Sequence, residues 1–494
     1  MERKNFTLIL VLAILMSSLS GCGGSTTKDT SAVSETAETA EIIEETTEEE
    51  GRLAISDGLP DTTFGGEEFC VLTRNREDFI NDIGVELELT GDVTDDAIYE
   101  RNRSVEERFD VAIVGEYAEN TGTDTIARVD AAVLAGDDSY DIVENQITQM
   151  AGAVTSGNYL DWYTQLPYVD LTKPWYVGNA RDALSINGHA YAMIGEFNLD
   201  VLRFTYCMFY NQDIAAEYSL EDIFTVVKEG RWTYDQLKML ADTVYVDLNG
   251  DGIKDFDDRL AITGDPLSQV VTYQYAFDNP VASLDSDGLP YVSLDREKGH
   301  DIVVKLNALY WESIGGLTKN EHGAGFGTWK AGNSLCYTRN INTMTSLADL
   351  EFDFSIIPYP KYNEEQTNYY TMSDGAHGTM MIPKTISDKE MTSIIIEALN
   401  AETYKQVVPA YFDTSLQNRY ARDTGSSEML EIILNGRVFD FGYIHSLQLA
   451  YIIRNQVSKN QSNTESEYAS KIAEAEATYA SIVEEYALLE SGLN

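Results

Sequence analysis

Short apolar runs alternate with helix-like segments in the first part of the chain, and this alternation limits the folds that the chain can adopt. Residues 69–72, 110–114 and 140–143 have the pattern of buried strands, and helix-like segments at 95–109 and 126–135 separate them. Strands that alternate with helices form βαβ units around a largely parallel sheet. We therefore predict an α/β fold in which a ligand binds beyond the carboxyl ends of the strands.

The charge balance excludes one large class of function. The chain has 494 residues, of which 43% are hydrophobic, and this length favours two lobes over one ordinary domain. Lysine and arginine number 34 against 82 aspartate and glutamate residues, which gives a formal net charge of −48. Because such a field repels phosphate, we expect no nucleic-acid partner and no polybasic membrane patch.

The amino-terminal residues combine the features of a bacterial lipoprotein export signal. Basic residues precede an apolar run at 6–16, and the tetrapeptide LSGC that ends at Cys22 resembles a lipobox. We predict a signal peptide at residues 1–21, a Cys22 that carries lipid such as palmitate, and an acidic, disordered linker that completes the segment 22–63. These features place the chain on the extracytoplasmic face of a bacterial cell membrane. The alternative is a cytosolic chain that begins with a hydrophobic helix.

The three cysteines beyond Cys22 do not indicate a disulfide framework. Cys70, Cys207 and Cys336 each lie in an apolar, strand-like run, and an odd number allows at most one disulfide. We expect buried free thiols. No spacing of cysteine and histidine indicates zinc.

Three further helices have recognisable start signals. Thr233, Ser387 and Thr464 each precede a Gln or Glu three residues later, which is the spacing of a capping box, and an apolar stripe follows each of them. The stripe after Thr464 repeats at intervals of three and four residues. We expect this carboxy-terminal helix to dock onto the body of the same chain; a coiled-coil seam is the alternative.

The strongest single motif is an acidic loop at residues 247–258. Oxygen-bearing side chains occupy its positions 1, 3, 5, 9 and 12 and glycine occupies position 6, as in EF-hand and dockerin-type loops, although position 12 is Asp and not the usual Glu. We predict a structural Ca²⁺ site, with a solvated acidic loop as the alternative. The expected ligands are the side chains of Asp247, Asn249, Asp251, Asp255 and Asp258 and the carbonyl of Ile253.

Several stretches, in the same order along the chain, resemble the extracellular solute-binding lipoproteins of ABC importers, in particular the carbohydrate binders of the maltose-binding-protein-like family. In the stretch at 326–335, Trp329-Lys330 stands where the family has Gly-Lys, so that match is looser than the others. The stretches are TGDVTDDAIYERN at 90–102, YDIV at 140–143, FYN at 209–211, VKEGRWT at 227–233, FGTWKAGNSL at 326–335 and IIPYP at 356–360.

This resemblance implies a two-lobed, periplasmic-binding-protein-like fold with a hinge of crossing strands and carboxy-terminal helices. The crossings are expected near 204–211 and 352–361. Lobe 1 would comprise residues 64–203 and 363–402. Lobe 2 would comprise residues 204–362 and 403–494. A solute held between the lobes would stabilise the closed state.

Candidate polar groups for such a cleft follow predicted strands. Arg74 and Asn145 come directly after strands of the first lobe, and Arg339 follows an apolar run of the second. Asp374 and His377 lie in a glycine-rich loop that would let the backbone approach a ligand, although an ordinary tight turn explains the loop equally well. We assign His377 no acid–base role, since no motif places a nucleophile beside it.

A sugar also needs aromatic platforms, because its ring presents an apolar face beside its hydroxyl groups. Trp162 and Trp175 lie in turn-like stretches, Trp232 starts a helix, and Trp329 lies in the stretch that resembles the family. We expect these four tryptophans to line the cleft, with a position in the core as the alternative for each one.

Taken together, the residues predict a lipid-anchored, monomeric binding protein that performs no chemistry. It would capture a mono- or oligosaccharide by hinge closure and deliver it to the permease of an ABC importer. One alternative is a surface glycoside hydrolase, which would need two carboxyl groups flanking a sugar-sized gap. Another is a calcium-stabilised adhesion protein without a closable cleft.

Overall fold

Two β-sheets organise the chain, one built mainly from its first part and the other from its middle. The computed structural model describes residues 48–119, 122–264, 268–318, 323–347, 349–417 and 425–492. The predicted signal peptide at 1–21, the lipidated Cys22 and the linker as far as residue 47 lie outside the described residues. The rest of the predicted disordered linker, 48–63, is ordered: it starts with a helix at Glu48–Leu53, and Asp57 pairs with Arg108 on the body of the chain. The described residues belong to one compact unit.

Thirteen strands are described. In chain order they are β1 (Glu67–Arg74), β2 (Val111–Ala118), β3 (Ile142–Gln146), β4 (Tyr206–Asn211), β5 (Leu260–Gly264), β6 (Ala282–Leu284), β7 (Pro290–Val292), β8 (Gly316–Thr318), β9 (Ser334–Asn340), β10 (Phe354–Ile357), β11 (Thr371–Met372), β12 (Gly378–Met381) and β13 (Arg437–Val438).

The described helices surround these strands. In chain order they are α1 (Glu48–Leu53), α2 (Glu77–Ile83), α3 (Val93–Phe109), α4 (Gly122–Ala135), α5 (Ile147–Met150), α6 (Gly178–Leu184), α7 (Asp200–Arg203), α8 (Gln212–Glu217), α9 (Ile223–Lys228), α10 (Tyr234–Ala241), α11 (Ser268–Ala276), α12 (Arg296–Asn307), α13 (Ala324–Lys330), α14 (Lys389–Glu402), α15 (Val408–Gln417), α16 (Gly425–Asn435), α17 (Phe441–His445), α18 (Leu447–Ala450), α19 (Ile452–Val457) and α20 (Thr464–Glu490). Single π-helical turns at Ala308–Glu312 and Thr403–Val407 and a 3₁₀ segment at Ile341–Ser346 complete the set.

The first sheet has the strand order β12–β3–β1–β2. β1 is parallel to both of its neighbours, and its register pairs Cys70 with Val114 and Leu72 with Val143. β12 comes from much later in the chain and runs antiparallel to β3. The amino end of β12 therefore meets the carboxyl ends of β1 and β3 at one edge of this sheet.

The second sheet has the strand order β10–β4–β9–β5–β8. β5 is parallel to β8 and β9, whereas β4 is antiparallel to β9 and β10. Two sheets surrounded by helices confirm the predicted α/β fold class. The predicted strands at 69–72, 110–114 and 140–143 coincide with or adjoin β1, β2 and β3.

The predicted starts of two helices can be compared with the structure. The prediction at Thr233 is confirmed, since its hydroxyl accepts a hydrogen bond from the Gln236 amide at 3.5 Å as α10 begins. The prediction at Ser387 is wrong by one residue, because Asp388 caps α14 by accepting a hydrogen bond from the Met391 amide at 2.9 Å. Serine and aspartate are both common N-cap residues, so the sequence spacing alone does not show whether Ser387 or Asp388 caps the helix.

The carboxy-terminal helix α20 docks on the body of the chain, as predicted, and buries one face that includes Tyr468, Tyr479 and Tyr486. Thr464 does not cap it; its hydroxyl lies 2.9 Å from Nδ1 of His300 on α12. Near the other end of the helix, the Tyr486 ring packs edge-on against Tyr191, with 5.0 Å between ring centroids.

Helix α20 therefore spans from the second sheet's helices to the region of the first sheet. The chain around Tyr191 belongs to the first sheet's side of the molecule, since Met193 forms a β-bridge with Met380 on β12. At 1.5 Å per residue, the 27 residues of α20 extend for about 40 Å. The β6–β7 hairpin also contacts the first sheet's side of the molecule, since the Asn187 amide donates to the Gly288 carbonyl at 3.2 Å.

One predicted crossing needs correction. The segment 352–361 does not cross between the sheets, because β10 within it pairs with β4 inside the second sheet. The return to the first sheet lies later, where Ser373 forms a β-bridge with Thr205 and the Asp374 amide donates to the Phe204 carbonyl at 2.9 Å. The first crossing, near 204–211, lies beside this point.

Cys70, Cys207 and Cys336 are free thiols, as predicted, and the last two are buried. Burial raises the pKa of the Cys70 thiol to about 12, so it stays protonated at neutral pH. Among the described helices, none combines the length and the apolar composition that a bilayer span requires.

Candidate functional site

Polar side chains follow the carboxyl ends of β1 and β3 and join the loop before β12. Arg74 donates through Nη1 to Oε1 of Gln146 at 2.6 Å, and Gln146 donates through Nε2 to the Thr148 hydroxyl at 2.9 Å. That hydroxyl donates to the Gly375 carbonyl at 3.0 Å. Gln146 and Thr148 are half-buried, so their polar groups reach the surface at this edge.

The chain passes between the sheets next to these groups. The Tyr206 hydroxyl, on the first strand of the second sheet, donates to Oδ2 of Asp374 at 2.6 Å. Asp374 is half-buried and also accepts a hydrogen bond from the Ala376 amide at 3.0 Å. We use the name polar edge for Arg74, Gln146, Thr148 and Asp374.

Arg339 lies at the corresponding end of the second sheet. It pairs in register with Cys207, one residue after Tyr206, and is half-buried. The predicted residues Arg74, Asp374 and Arg339 thus lie at or close to the ends of strands β1, β11 and β9. Gln146, Thr148 and Tyr206 were not predicted; Gln146 could have been found, since it ends the strand in which Asn145 was chosen.

Asn145 has a different place from the one predicted. It is fully buried, and its Nδ2 donates to the Gly122 carbonyl at 3.0 Å as well as to the Thr125 hydroxyl. It therefore fixes the start of α4. Side chains alternate along a strand, so Asn145 points away from the face that Gln146 occupies.

His377 is buried as well. Its Nδ1 lies 2.8 Å from the Gly378 carbonyl, to which it donates, and burial lowers the pKa of the imidazole to about 4. It lines a small cavity together with Ser373, Asp440 and Tyr443. His377 was predicted to line a binding cleft, but its imidazole is buried and bonded to backbone in this structure.

All four predicted platform tryptophans lie in the core. Trp162, Trp175, Trp232 and Trp329 are each at most 1% exposed. Trp175 donates through Nε1 to Glu397 on α14 at 3.0 Å, and Trp232 donates through Nε1 to the Pro358 carbonyl at 2.9 Å. They present no face to a solute in this structure, so the core alternative holds for them.

A buried carboxylate cluster lies beneath the polar edge. Asp82, Glu144 and Asp200 are fully buried, and one oxygen from each lies within 4.8 Å of the others. Arg203 pairs with Asp82. Burial, followed by the neighbouring carboxylates, raises the pKa of Glu144 and of Asp200 well above the usual range.

Hydrogen-bond donors already occupy most of this cluster. Glu144 accepts from Asn198 Nδ2 at 2.5 Å and from the Thr73 hydroxyl at 3.3 Å, and Asp200 accepts from the Gly378 amide at 2.7 Å. Among the six oxygens, Oδ1 of Asp200 has no partner. These donors occupy oxygens that a metal ion would need as ligands, so the donor set does not favour a metal ion at this cluster.

Glycine at 378 is required by this packing. A Cβ at that position would lie 2.8 Å from Nδ2 of Asn198 and 2.9 Å from Oε1 of Glu144. The cluster thereby ties the chain on either side of the two crossings, at Asp200 and Gly378, to the end of β3.

The acidic loop at 247–258 folds around its own carboxylates. Asp247 accepts hydrogen bonds from the amides of Gly250 at 2.7 Å and Gly252 at 2.9 Å. Asp258 is buried and accepts from the Tyr245 hydroxyl at 3.0 Å. Apart from the carboxylate cluster, no three carboxylate, thiol or imidazole groups of the described residues converge to metal-binding distance. The Ca²⁺ site stays a prediction.

The two sheets, the paired crossings and the helices after residue 425 define the fold of the two-lobed, periplasmic-binding-protein-like solute-binding proteins, and the predicted resemblance is confirmed at the level of the fold. At the level of sequence, no protein-family model matches the chain, and no curated protein matches it.

Solved structures are similar over most of the chain. A family 1 extracellular solute-binding protein from Bifidobacterium longum subsp. infantis is 13% identical with a TM-score of 0.53, over 85% of this chain and 100% of that one. UspC of M. tuberculosis is 14% identical with a TM-score of 0.55, over 83% and 99%. The galacto-N-biose-/lacto-N-biose I-binding protein of a Bifidobacterium longum ABC transporter, in complex with lacto-N-biose, is 12% identical with a TM-score of 0.52, over 86% and 98%. The two Bifidobacterium longum proteins are described as binding proteins.

Proposed function

We propose that this protein is an extracytoplasmic carbohydrate-binding component of an ABC importer that binds and releases its solute unchanged. The observation that carries the proposal is the two-sheet fold, whose structural neighbours include proteins described as bound to lacto-N-biose, cycloalternan and maltotriose. The polar edge at the crossing segments supports the same conclusion, since ligands of open α/β sheets bind beyond strand ends.

The chemistry of the polar edge suits hydroxyl groups. Asp374 can accept hydrogen bonds from two adjacent hydroxyls, and Arg74 and Gln146 can donate to sugar oxygens. Thr148 can do either. No acid–base pair is needed for this recognition, and hydroxyl-rich solutes are the class that such a mixture of donors and acceptors favours.

Closure about the crossings would complete the site. Arg339 at the end of the second sheet and the polar edge of the first sheet would contact one solute from two sides, and these differential contacts would favour the closed state. The closed form would then be recognised by a permease encoded elsewhere.

Binding of a panel of mono- and oligosaccharides, followed by calorimetry and thermal shift, tests this proposal. We expect saturable binding of at least one sugar with no product detected by chromatography. Asp374→Asn should weaken binding roughly tenfold or more, because an uncharged acceptor replaces a charge-assisted one. Asp287→Asn, an equivalent change on the exposed tip of the β6–β7 hairpin, should leave binding unchanged.

Two outcomes would contradict the proposal. Release of shorter sugars would support the glycoside hydrolase alternative. Absence of binding across the panel, together with no compaction in X-ray scattering, would support the adhesion alternative.

We further propose that Cys22 anchors the protein by lipid and that a Ca²⁺ ion stabilises the loop at 247–258. Mass spectrometry of the membrane-extracted protein tests the first, and Cys22→Ala should move the protein into the soluble fraction. For the second, Ca²⁺ should raise the melting temperature of the wild type but not of Asp251→Ala; equal shifts in both would exclude this loop as the site.

A further inference from the structure

Lys361 is a largely buried residue, and its ammonium group forms no ion pair within the part of the chain that the structure describes. Its side chain and backbone together are only 3% exposed, and burial lowers the pKa of its ammonium group. Among the described residues no carboxylate forms an ion pair with it, and Glu364 interacts only at longer range. A buried, unpaired lysine is unusual in any protein and more so in one with 82 acidic residues and 34 basic ones.

The backbone of Lys361 is held firmly in place. Its amide donates to the Trp232 carbonyl at 3.0 Å, and its carbonyl accepts from the Tyr234 amide at 2.8 Å. The ammonium lies over the ring of Tyr369, with 5.5 Å between Nζ and the ring centroid. The direction of the side chain is therefore preorganised.

The ammonium lies next to two residues, Gly230 and Tyr369, that line a groove on the surface. Nζ lies 3.1 Å from the place that a Cβ of residue 230 would occupy, and Gly230 lines a groove of about 850 Å³, part of which is open to solvent. Gly230 has a φ of +72°, a conformation that favours glycine. Because glycine has no Cβ, the space beside Gly230 is left to the Lys361 ammonium.

The other walls of this groove supply uncharged donors and one further cation. They include Asn368, Tyr370 and Asn435, with Lys228 at the margin. Lys228 is already paired with Glu428 at 2.7 Å, whereas Asn435 is exposed. The groove lies between the end of α9, the segment before β11 and the end of α16, so its lining residues are not those of the polar edge.

We propose that this groove, which we call the Lys361 groove, is a binding site for a small oxyanion, either a phosphate or a carboxylate carried by a sugar acid. The anion would accept hydrogen bonds from the Lys361 ammonium and from the amide and hydroxyl groups of Asn368, Tyr370 and Asn435. Its charge would compensate the unpaired cation, and the aromatic face of Tyr369 would hold the ammonium in place from the other side.

Titration of the full-length chain with inorganic phosphate and with glucuronate, each against chloride at equal ionic strength, tests the proposal and separates the two sources. We expect at least one of them to bind saturably and to raise the melting temperature. Lys361→Met should weaken that binding by about tenfold or more, because it removes the charged donor. Lys471→Met, which removes one positive charge from the exposed face of α20, should leave it unchanged.

A second variant keeps the test decisive if Lys361→Met does not fold. Asn435→Asp places a negative charge on the exposed rim of the groove and should weaken the same binding several-fold with little effect on stability. Equal binding by wild type, Lys361→Met and Asn435→Asp would overturn the proposal, as would absence of binding by both probes. Sugar binding at the polar edge is measured separately, so failure here leaves the proposed function untouched.

Discussion

At the scale of single residues, the carboxylate cluster has the largest consequence for stability. Glu144 and Asp200 remain protonated in the folded chain at a pH where the unfolded chain has lost both protons. A folded state that binds more protons than the unfolded state loses stability as the pH rises. The free energy of unfolding should therefore decrease as the pH rises. The decrease should begin near the ordinary carboxyl pKa, which is 3.8 for Asp, and should end once the pH exceeds the raised pKa values of the folded chain.

We expect Asp200→Asn to flatten this dependence. The amide imitates the protonated acid, since its oxygen can still accept from the Gly378 amide, and it removes one titrating group. At neutral pH the variant should be at least as stable as the wild type, and its slope should be smaller by about 1.4 kcal/mol for each pH unit. Urea unfolding across a pH series measures both quantities; Asp287→Asn is the control, and an unchanged slope in Asp200→Asn would contradict the assignment.

The buried tryptophans allow a test that separates core from cleft. Trp175→Phe should lower the free energy of unfolding by about 2–3 kcal/mol, because Glu397 loses the indole donor and the smaller ring leaves space unfilled. The affinity for the best sugar should stay the same. If Trp175→Phe lost affinity for the sugar but kept its stability in urea unfolding, Trp175 would be a binding residue and not a core residue.

At the scale of elements, α20 depends on contacts at both of its ends. Tyr486→Ala removes the ring that packs on Tyr191, and we expect a loss of about 2–4 kcal/mol in the free energy of unfolding, as for other buried aromatic truncations. Leu488→Ala, on the same helix but 45% exposed, should cost less than about 1 kcal/mol. Hydrogen exchange should show faster opening of the last turns in the first variant alone.

Elements with strong local signals were predictable, and their place in three dimensions was not. The strands at 69–72 and 140–143 and the start of α10 follow from apolar runs and a capping residue. The family resemblance of IIPYP at 356–360 predicts a crossing at 352–361, yet the pairing of β10 with β4 is a long-range contact that no local pattern reveals.

The candidate site likewise includes residues that the sequence predicts and residues that it does not. The end of a predicted strand located Arg74, because ligands of open α/β sheets bind beyond strand ends, and an apolar run located Arg339. The tryptophans were misplaced since a large aromatic in a turn-like stretch looks the same whether it faces a cleft or fills a core. No local sequence pattern marks Lys361 as a candidate site residue. Its position depends on contacts with Trp232, Tyr234 and Gly230, which are distant in sequence.

At the scale of the whole molecule, we expect binding of sugar to make the protein more compact. Two sheets joined by paired crossings can rotate about them, and a solute that contacts both sides favours the smaller form. Small-angle X-ray scattering should show a lower radius of gyration with the best sugar and no change with a sugar that does not bind. A radius that is the same in both conditions would indicate a rigid body.

Because α20 contacts α12 at one end and Tyr191 at the other, separation of the two sheets has to break or stretch one of those attachments. The energy of that contact enters the balance between open and closed forms before any sugar arrives. A chain that lacks the Tyr486 contact should admit its sugar faster and also lose it sooner. We therefore expect the last helix to influence how long a bound sugar is retained, through contacts that lie apart from the polar edge.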